Sequence, residues 1–188
     1  LYKNGEPFKM SKRAGEFISA EDLLQEVTKD QIRFMMLNRS NDVELDFDFD
    51  KVKEKTKDNP VFYVQYAYAR INSLLRTLNL KLFEKINLDE NKTDFNEIEE
   101  KIIRKVFEWP KIVESASKKF DLHKIPFYLY ELSTIFHSYW SKGNDDKNYK
   151  FIENEQLKRK EILLIINLVA IVIQNGMKIL GVSLPNKM

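Results

Sequence analysis

Apolar residues recur every three or four positions along most of this chain, the spacing of helices with one buried face. The clearest stripe follows Pro60, where Val61, Val64, Ala67 or Tyr68, Ile71, Leu74, Leu75 and Leu78 step through "PVFYVQYAYARINSLLRTL". Proline suits the first turn of such a helix, because its missing N–H would be unpaired there anyway. Helical patterns resume over 96–108, 110–120, about 124–141 and 155–180. The run "ILLIINLVAIVI" at 162–173, broken by Asn167, predicts a buried core helix, and twelve residues are too few to span a bilayer.

The first third has a different character. "SAED" puts Ser19 at an N-cap with Asp22 three residues on, and "TKDQ" repeats the device with Thr28 and Gln31. Two short helices are predicted, the first ending about Val27. "VELDFDFD" alternates apolar and acidic residues, which predicts an extended segment over 43–48 before another helix. Residues 84–95 are polar and predict a surface connection, and "KGNDDKNYKFIEN" at 142–154 predicts a long loop. The predicted fold class is mainly α: a loop-rich segment over 1–58, then a bundle of about five helices over 59–188.

Composition narrows the chemistry. The absence of cysteine excludes a disulfide scaffold and a thiolate metal site and fits a reducing compartment. Only His123 and His137 supply imidazole, without ligand spacing to acidic residues, so no metal site is predicted. With 31 basic and 29 acidic residues the net charge is +2, so any binding to nucleic acid must use a local patch. Nothing resembles a signal peptide, and a first residue of Leu1 suggests a piece of a longer chain.

One stretch stands out: "FKMSKRAGEF" at 8–17 gathers Lys9, Lys12 and Arg13 around Ser11, with Gly15 following. In isolation a solvated basic turn is the better reading; the alternative is a loop that closes over phosphate. Its flanks favour the alternative. Lys9-Met10-Ser11-Lys12 resembles the Lys-Met-Ser-Lys-Ser signature of class I aminoacyl-tRNA synthetases, with Arg13 in place of the final serine. The continuations "RAGEFISAEDLL", "DQIRFMMLNRSNDVELDFD", "DNPVFYVQYAYARI", "ELSTIFHSYW" and "IVIQNGMKILGVSLPNKM" are similar to bacterial-type arginyl-tRNA synthetases over nearly the whole chain.

The resemblance implies a divided molecule. Residues 1–58 would be the tail of a Rossmann-type catalytic domain, and 59–188 a helical anticodon-binding domain of the DALR type. It implies ATP, accompanied by Mg2+, as a substrate of the parent enzyme, with arginine and tRNA-Arg, no tightly bound cofactor, a cytoplasmic location and a monomer. Lys12, supported by Lys9, would stabilise charge on the ATP phosphates in the transition state of adenylation. Ser11 would contribute a polar contact, Met10 would anchor the loop, and Gly15 would allow close approach. The partner signature His-x-Gly-His is not in the sequence, so the chain alone is expected to be inactive.

RNA loops are read by laying unstacked bases on aromatic rings or guanidinium planes. Tyr63, Tyr66 and Arg70 fall on one face of the helix after Pro60, and Tyr139 and Trp140 close another helix beside a polar loop. The terminus "LPNKM" brings Lys187 and Met188, which the resemblance puts near the anticodon. These seven residues are the candidate tRNA contacts, although any one tyrosine could instead be a half-buried packing residue. Phe136 lies on an apolar stripe and is expected in the core, and His137 is expected to be a structural hydrogen-bonder. Two rival readings remain: another class I synthetase of the cysteinyl type, and a helical protein-interaction module.

Overall fold

The computed structural model describes residues 2–3, 6–7, 19–86 and 94–188. Lys9, Met10, Ser11, Lys12, Arg13 and Gly15 lie outside the described residues.

Local rules set the first helices. The Ser19 hydroxyl accepts from the Asp22 N–H at 3.1 Å while the Asp22 carboxylate accepts from the Ser19 N–H at 2.9 Å, opening α1, Ala20–Glu26. Thr28 and Gln31 repeat the arrangement at the start of α2, Lys29–Leu37. Gln31 also donates to the Val52 carbonyl at 2.6 Å, tying α2 to α3, Phe49–Lys53. Asp48 caps α3 by accepting from the N–H groups of Asp50 and Lys51. The expected extended segment is irregular, except for an isolated parallel bridge from Asp48 to Tyr2, near the short hairpin of β1, Tyr2–Lys3, and β2, Glu6–Pro7. Phe47 and Phe49 are drawn instead into a small cluster with Val27 and Val52.

From Asn59 the chain is a bundle. Asn59 is buried, caps α4 (Pro60–Thr77) and donates to the carbonyls of Val52 and Glu54 at 2.7 and 2.8 Å. The predicted stripe is buried from Val61 to Leu75, with Leu78 half-buried. Then come α5, Glu97–Phe107, α6, Trp109–Lys119, α7, Lys124–Asp145, and α8, Lys160–Leu180. Helix α7 packs against α4, α5, α6 and α8, and α2 bridges to α4 and α8.

Helix α8 spans 21 residues and is by composition long and apolar enough to cross a membrane, so the length argument made from the twelve-residue run does not hold. Packing accounts for its character instead. Ile165, Ile166, Val169, Ala170, Ile173 and Met177 are fully buried, and truncating one of these isoleucines to Ala costs about 2–5 kcal/mol. Asn167 is satisfied, its Oδ1 accepting from the Phe83 N–H at 3.1 Å. Gly176 permits the close approach of α7, since a Cβ there would lie 2.7 Å from Leu129.

The expected loop at 142–154 is shorter and more ordered. Its first four residues extend α7, a 3-10 turn covers Lys147–Tyr149, and Ile152–Glu153 (β3) pairs with Gln156–Leu157 (β4). Asn154 and Glu155 both have positive φ, the geometry of a two-residue type I′ turn. Phe151 is the anchor, buried against Tyr139 and Trp140.

Candidate nucleic-acid interface

Helices α4 and α7 meet along a seam of rings around one cation. The Arg70 guanidinium lies over the Tyr66 ring at 4.4 Å and over the Trp140 ring at 5.2 Å from their centroids. Its Nη1 donates to His137 Nδ1 at 3.1 Å. No other hydrogen bond and no carboxylate partner serves Arg70 among the described residues, although the side chain is half-buried. Removing a cation from water without a counter-ion is costly. A guanidinium held on aromatic faces with N–H donors to spare is therefore suited to an incoming acceptor, a base edge or a phosphate.

His137 sits beneath this cation, 5% exposed. Its Nε2 is 3.1 Å from the Tyr63 carbonyl, and its ring packs on Tyr63 and Tyr66 at 4.3 and 5.5 Å. Burial pushes its pKa down to about 4; the Arg70 charge acts in the same direction, against the opposing effect of the bond to Tyr63.

The end of the chain runs beside the same helix. After Gly181, where α8 stops, Val182 is buried and the Ser183 carbonyl accepts from Gln65 Nε2 at 3.0 Å. In the last turn of α4, Arg76 donates from Nη1 to the Asn186 carbonyl at 2.8 Å. Lys187 and Met188 follow, both exposed. On the other side, Leu74, Trp140, Asn144, Tyr149, Lys150 and Phe151 line a shallow cavity of about 210 Å³. Gly143 lets the turn close on α7, because a Cβ there would lie 2.9 Å from the Tyr149 carbonyl oxygen. A wider concavity of about 810 Å³ lies between α5 and α7; its wall sets Glu97, Glu100, Glu108 and Glu131 against Lys101, Arg104 and Lys105, and Arg104 and Lys105 are engaged in ion pairs with these carboxylates.

Of the seven candidates, Tyr63, Tyr66, Arg70 and Trp140 come together. Tyr63 serves mainly as packing, its ring against His137 and Tyr130. Tyr139 must be corrected. It is 1% exposed, T-shaped against Phe151, and its hydroxyl donates to the Glu99 carboxylate, so it has no face for a base. The charged run "EEKIIRK" at 99–105 reads by its charge pattern as an exposed helix face, yet its first residue, Glu99, is fully buried, accepting also from Arg159 and from the Asn96 N–H at 2.9 Å. Arg159 is thereby engaged within the protein and not free to meet a phosphate. Arg104 and Lys105 are likewise paired, with Glu100 and with Glu108 and Glu131.

Gln65 and Arg76, the anchors of the terminal segment, escaped sequence reasoning. A signal existed: α4 holds two arginines and no acidic residue, so neither cation has a partner within its own helix.

Residues 64–188 match the DALR anticodon binding domain, and the chain belongs to that family. The whole chain is 51% identical to the arginine–tRNA ligase of Pelagibacter ubique and, over 194 aligned residues, 45% identical to that of Ruegeria pomeroyi. It spans about a third of the length of these relatives, 33% in each case. A crystal structure from Campylobacter jejuni, assigned as an arginyl tRNA synthetase, superposes with a TM-score of 0.79 at 29% identity, over 99% of this chain and 38% of that one. The Thermus thermophilus arginyl-tRNA synthetase shares the fold at a TM-score of 0.67 and 21% identity, over 94% of this chain and 29% of that one.

Proposed function

We propose that this chain is the tRNA-reading part of an arginine–tRNA ligase that charges tRNA-Arg with arginine in the cytoplasm at the expense of ATP, with Mg2+ accompanying the nucleotide. One observation carries the reading: in a DALR domain, a half-buried arginine with no counter-ion among the described residues is held between Tyr66 and Trp140, on the same helix whose Gln65 and Arg76 anchor the C-terminal segment. A base of the anticodon stacks on the exposed part of this aromatic surface while Arg70 donates to its edge, and Lys187 and Met188 close the site from the terminus.

The domain boundary falls near residue 58, where Asn59 begins the bundle. Before it, Lys12 and Lys9 serve the ATP phosphates with Met10, Ser11 and Gly15, by their place in the signature. In the longer enzyme, Lys12→Ala lowers the adenylation rate by a power of ten or more with tRNA affinity unchanged; normal adenylation excludes Lys12 from the step.

Trp140→Ala tests the interface. It weakens tRNA-Arg binding by about 1–3 kcal/mol, the range for a lost base–aromatic stack. A variant that binds normally but melts earlier makes Trp140 a packing residue and removes it from the site.

A further inference from the structure

We propose that His137 is a positioning residue: as the neutral tautomer protonated at Nε2, it holds Arg70 in the one orientation that reads a base. The proposal rests on the reading of Arg70 given above. Two rings fix the plane in which a guanidinium lies but leave it free to slide and turn within that plane. A third, directional contact is needed to aim its remaining N–H groups, and His137 Nδ1 at 3.1 Å supplies it.

The chemistry of the partners assigns the proton. The Tyr63 carbonyl, 3.1 Å from Nε2, can only accept, so Nε2 carries the hydrogen. Arg70 can only donate, so Nδ1 must present its lone pair. One tautomer satisfies both contacts, and the two nitrogens divide the work. Nε2 clamps α7 to the backbone of α4, a structural task. Nδ1 orients a side chain two turns further along α4, at the surface proposed to meet RNA. Arg70 is the charged group facing the ring, with the Tyr63 and Tyr66 phenols stacked beside it, and a buried ring next to a fixed cation stays neutral across the working range.

Two substitutions separate the tasks, because asparagine places an amide oxygen as many bonds from Cβ as Nδ1, and glutamine places an amide nitrogen as many bonds from Cβ as Nε2. His137→Asn keeps an acceptor for Arg70 and drops the clamp; His137→Gln keeps the clamp and drops that acceptor. The readout is binding of the chain to a tRNA-Arg transcript and to the same transcript with its central anticodon base changed, with melting followed in parallel. The expected result is that His137→Gln loses discrimination tenfold or more, whereas His137→Asn stays within threefold of the parent even where it melts earlier. Discrimination that follows stability, with Asn the worse variant, overturns the proposal.

Arg70→Ala, run alongside, separates the two levels. If it leaves discrimination intact, the reading of Arg70 fails and the inference with it; if it abolishes discrimination while His137→Gln does not, the inference alone fails. A measurement on the unsubstituted chain guards against a misfolded variant. Imidazole 15N spectra are expected to show His137 protonated at Nε2 and bare at Nδ1, with the Nδ1 resonance moving in Arg70→Ala. The opposite tautomer overturns the proposal.

Discussion

Tyr139 and Trp140 are neighbours on α7, yet the structure gives them opposite roles, and Tyr139→Phe separates these roles with a single oxygen atom. The hydroxyl is buried and donates to Glu99, itself fully buried and serving Arg159 and the Asn96 N–H. A hydrogen bond to a charged group contributes about 1.5–3 kcal/mol. Glu99 keeps its other partners in the variant, and the phenyl ring keeps its packing on Phe151, so a loss of about 2 kcal/mol is expected. For a domain of this size that corresponds to a fall in Tm of about 4–8 °C. Calorimetry gives the stability, and tRNA affinity is measured well below the transition, where it should stay within about twofold of the parent. An unchanged Tm with tRNA binding weakened tenfold would refute the reasoning, because it would mean that the hydroxyl faces RNA.

Two further outcomes follow from the same seam. The folded pKa of His137, about 4, lies below the ordinary value near 6.5, so the unfolded chain takes up a proton first and the contribution of this residue, complete above about pH 6.5, is lost as pH falls toward 4. Between pH 7 and pH 5 the loss is about 2 kcal/mol; urea unfolding of His137→Asn should show a correspondingly flatter slope with pH, and identical slopes contradict the assignment. Gly143→Ala puts a methyl group 2.9 Å from the Tyr149 carbonyl oxygen, a backbone atom that cannot rotate away, so the 147–149 turn must shift at a cost of about 1–3 kcal/mol. A lower Tm and weaker tRNA binding are expected; a higher Tm, as helix propensity alone would give, speaks against the close contact.

What the sequence revealed was local, and what it concealed was mostly at long range. Both capping boxes, the Pro60 start and the α4 stripe depend on residues within one or two turns, and the structure contains them at the expected positions. Tyr66, Arg70 and Trp140 were legible as candidates because helical spacing puts the first two on one face and the third closes a helix beside a polar loop. Tyr139 was misread because residues 100° apart on one helix cannot be assigned a face without knowing what packs on it, and that partner, Phe151, arrives from beyond the turn. Glu99 looked solvated within "EEKIIRK" because its counter-ion is Arg159, sixty residues away. Still longer separations, 118 and 110 residues, hid the anchoring of Ser183 by Gln65 and of Asn186 by Arg76.

The measurement that bears most directly on the central claim is binding of this chain to tRNA-Arg, against the same tRNA with its central anticodon base changed, across a salt series. An interface built on one aimed guanidinium and stacked rings should discriminate between the two, and the difference should survive moderate salt, since screening weakens phosphate contacts far more than base contacts. Weak binding, equal for both tRNAs and vanishing with salt, would contradict it.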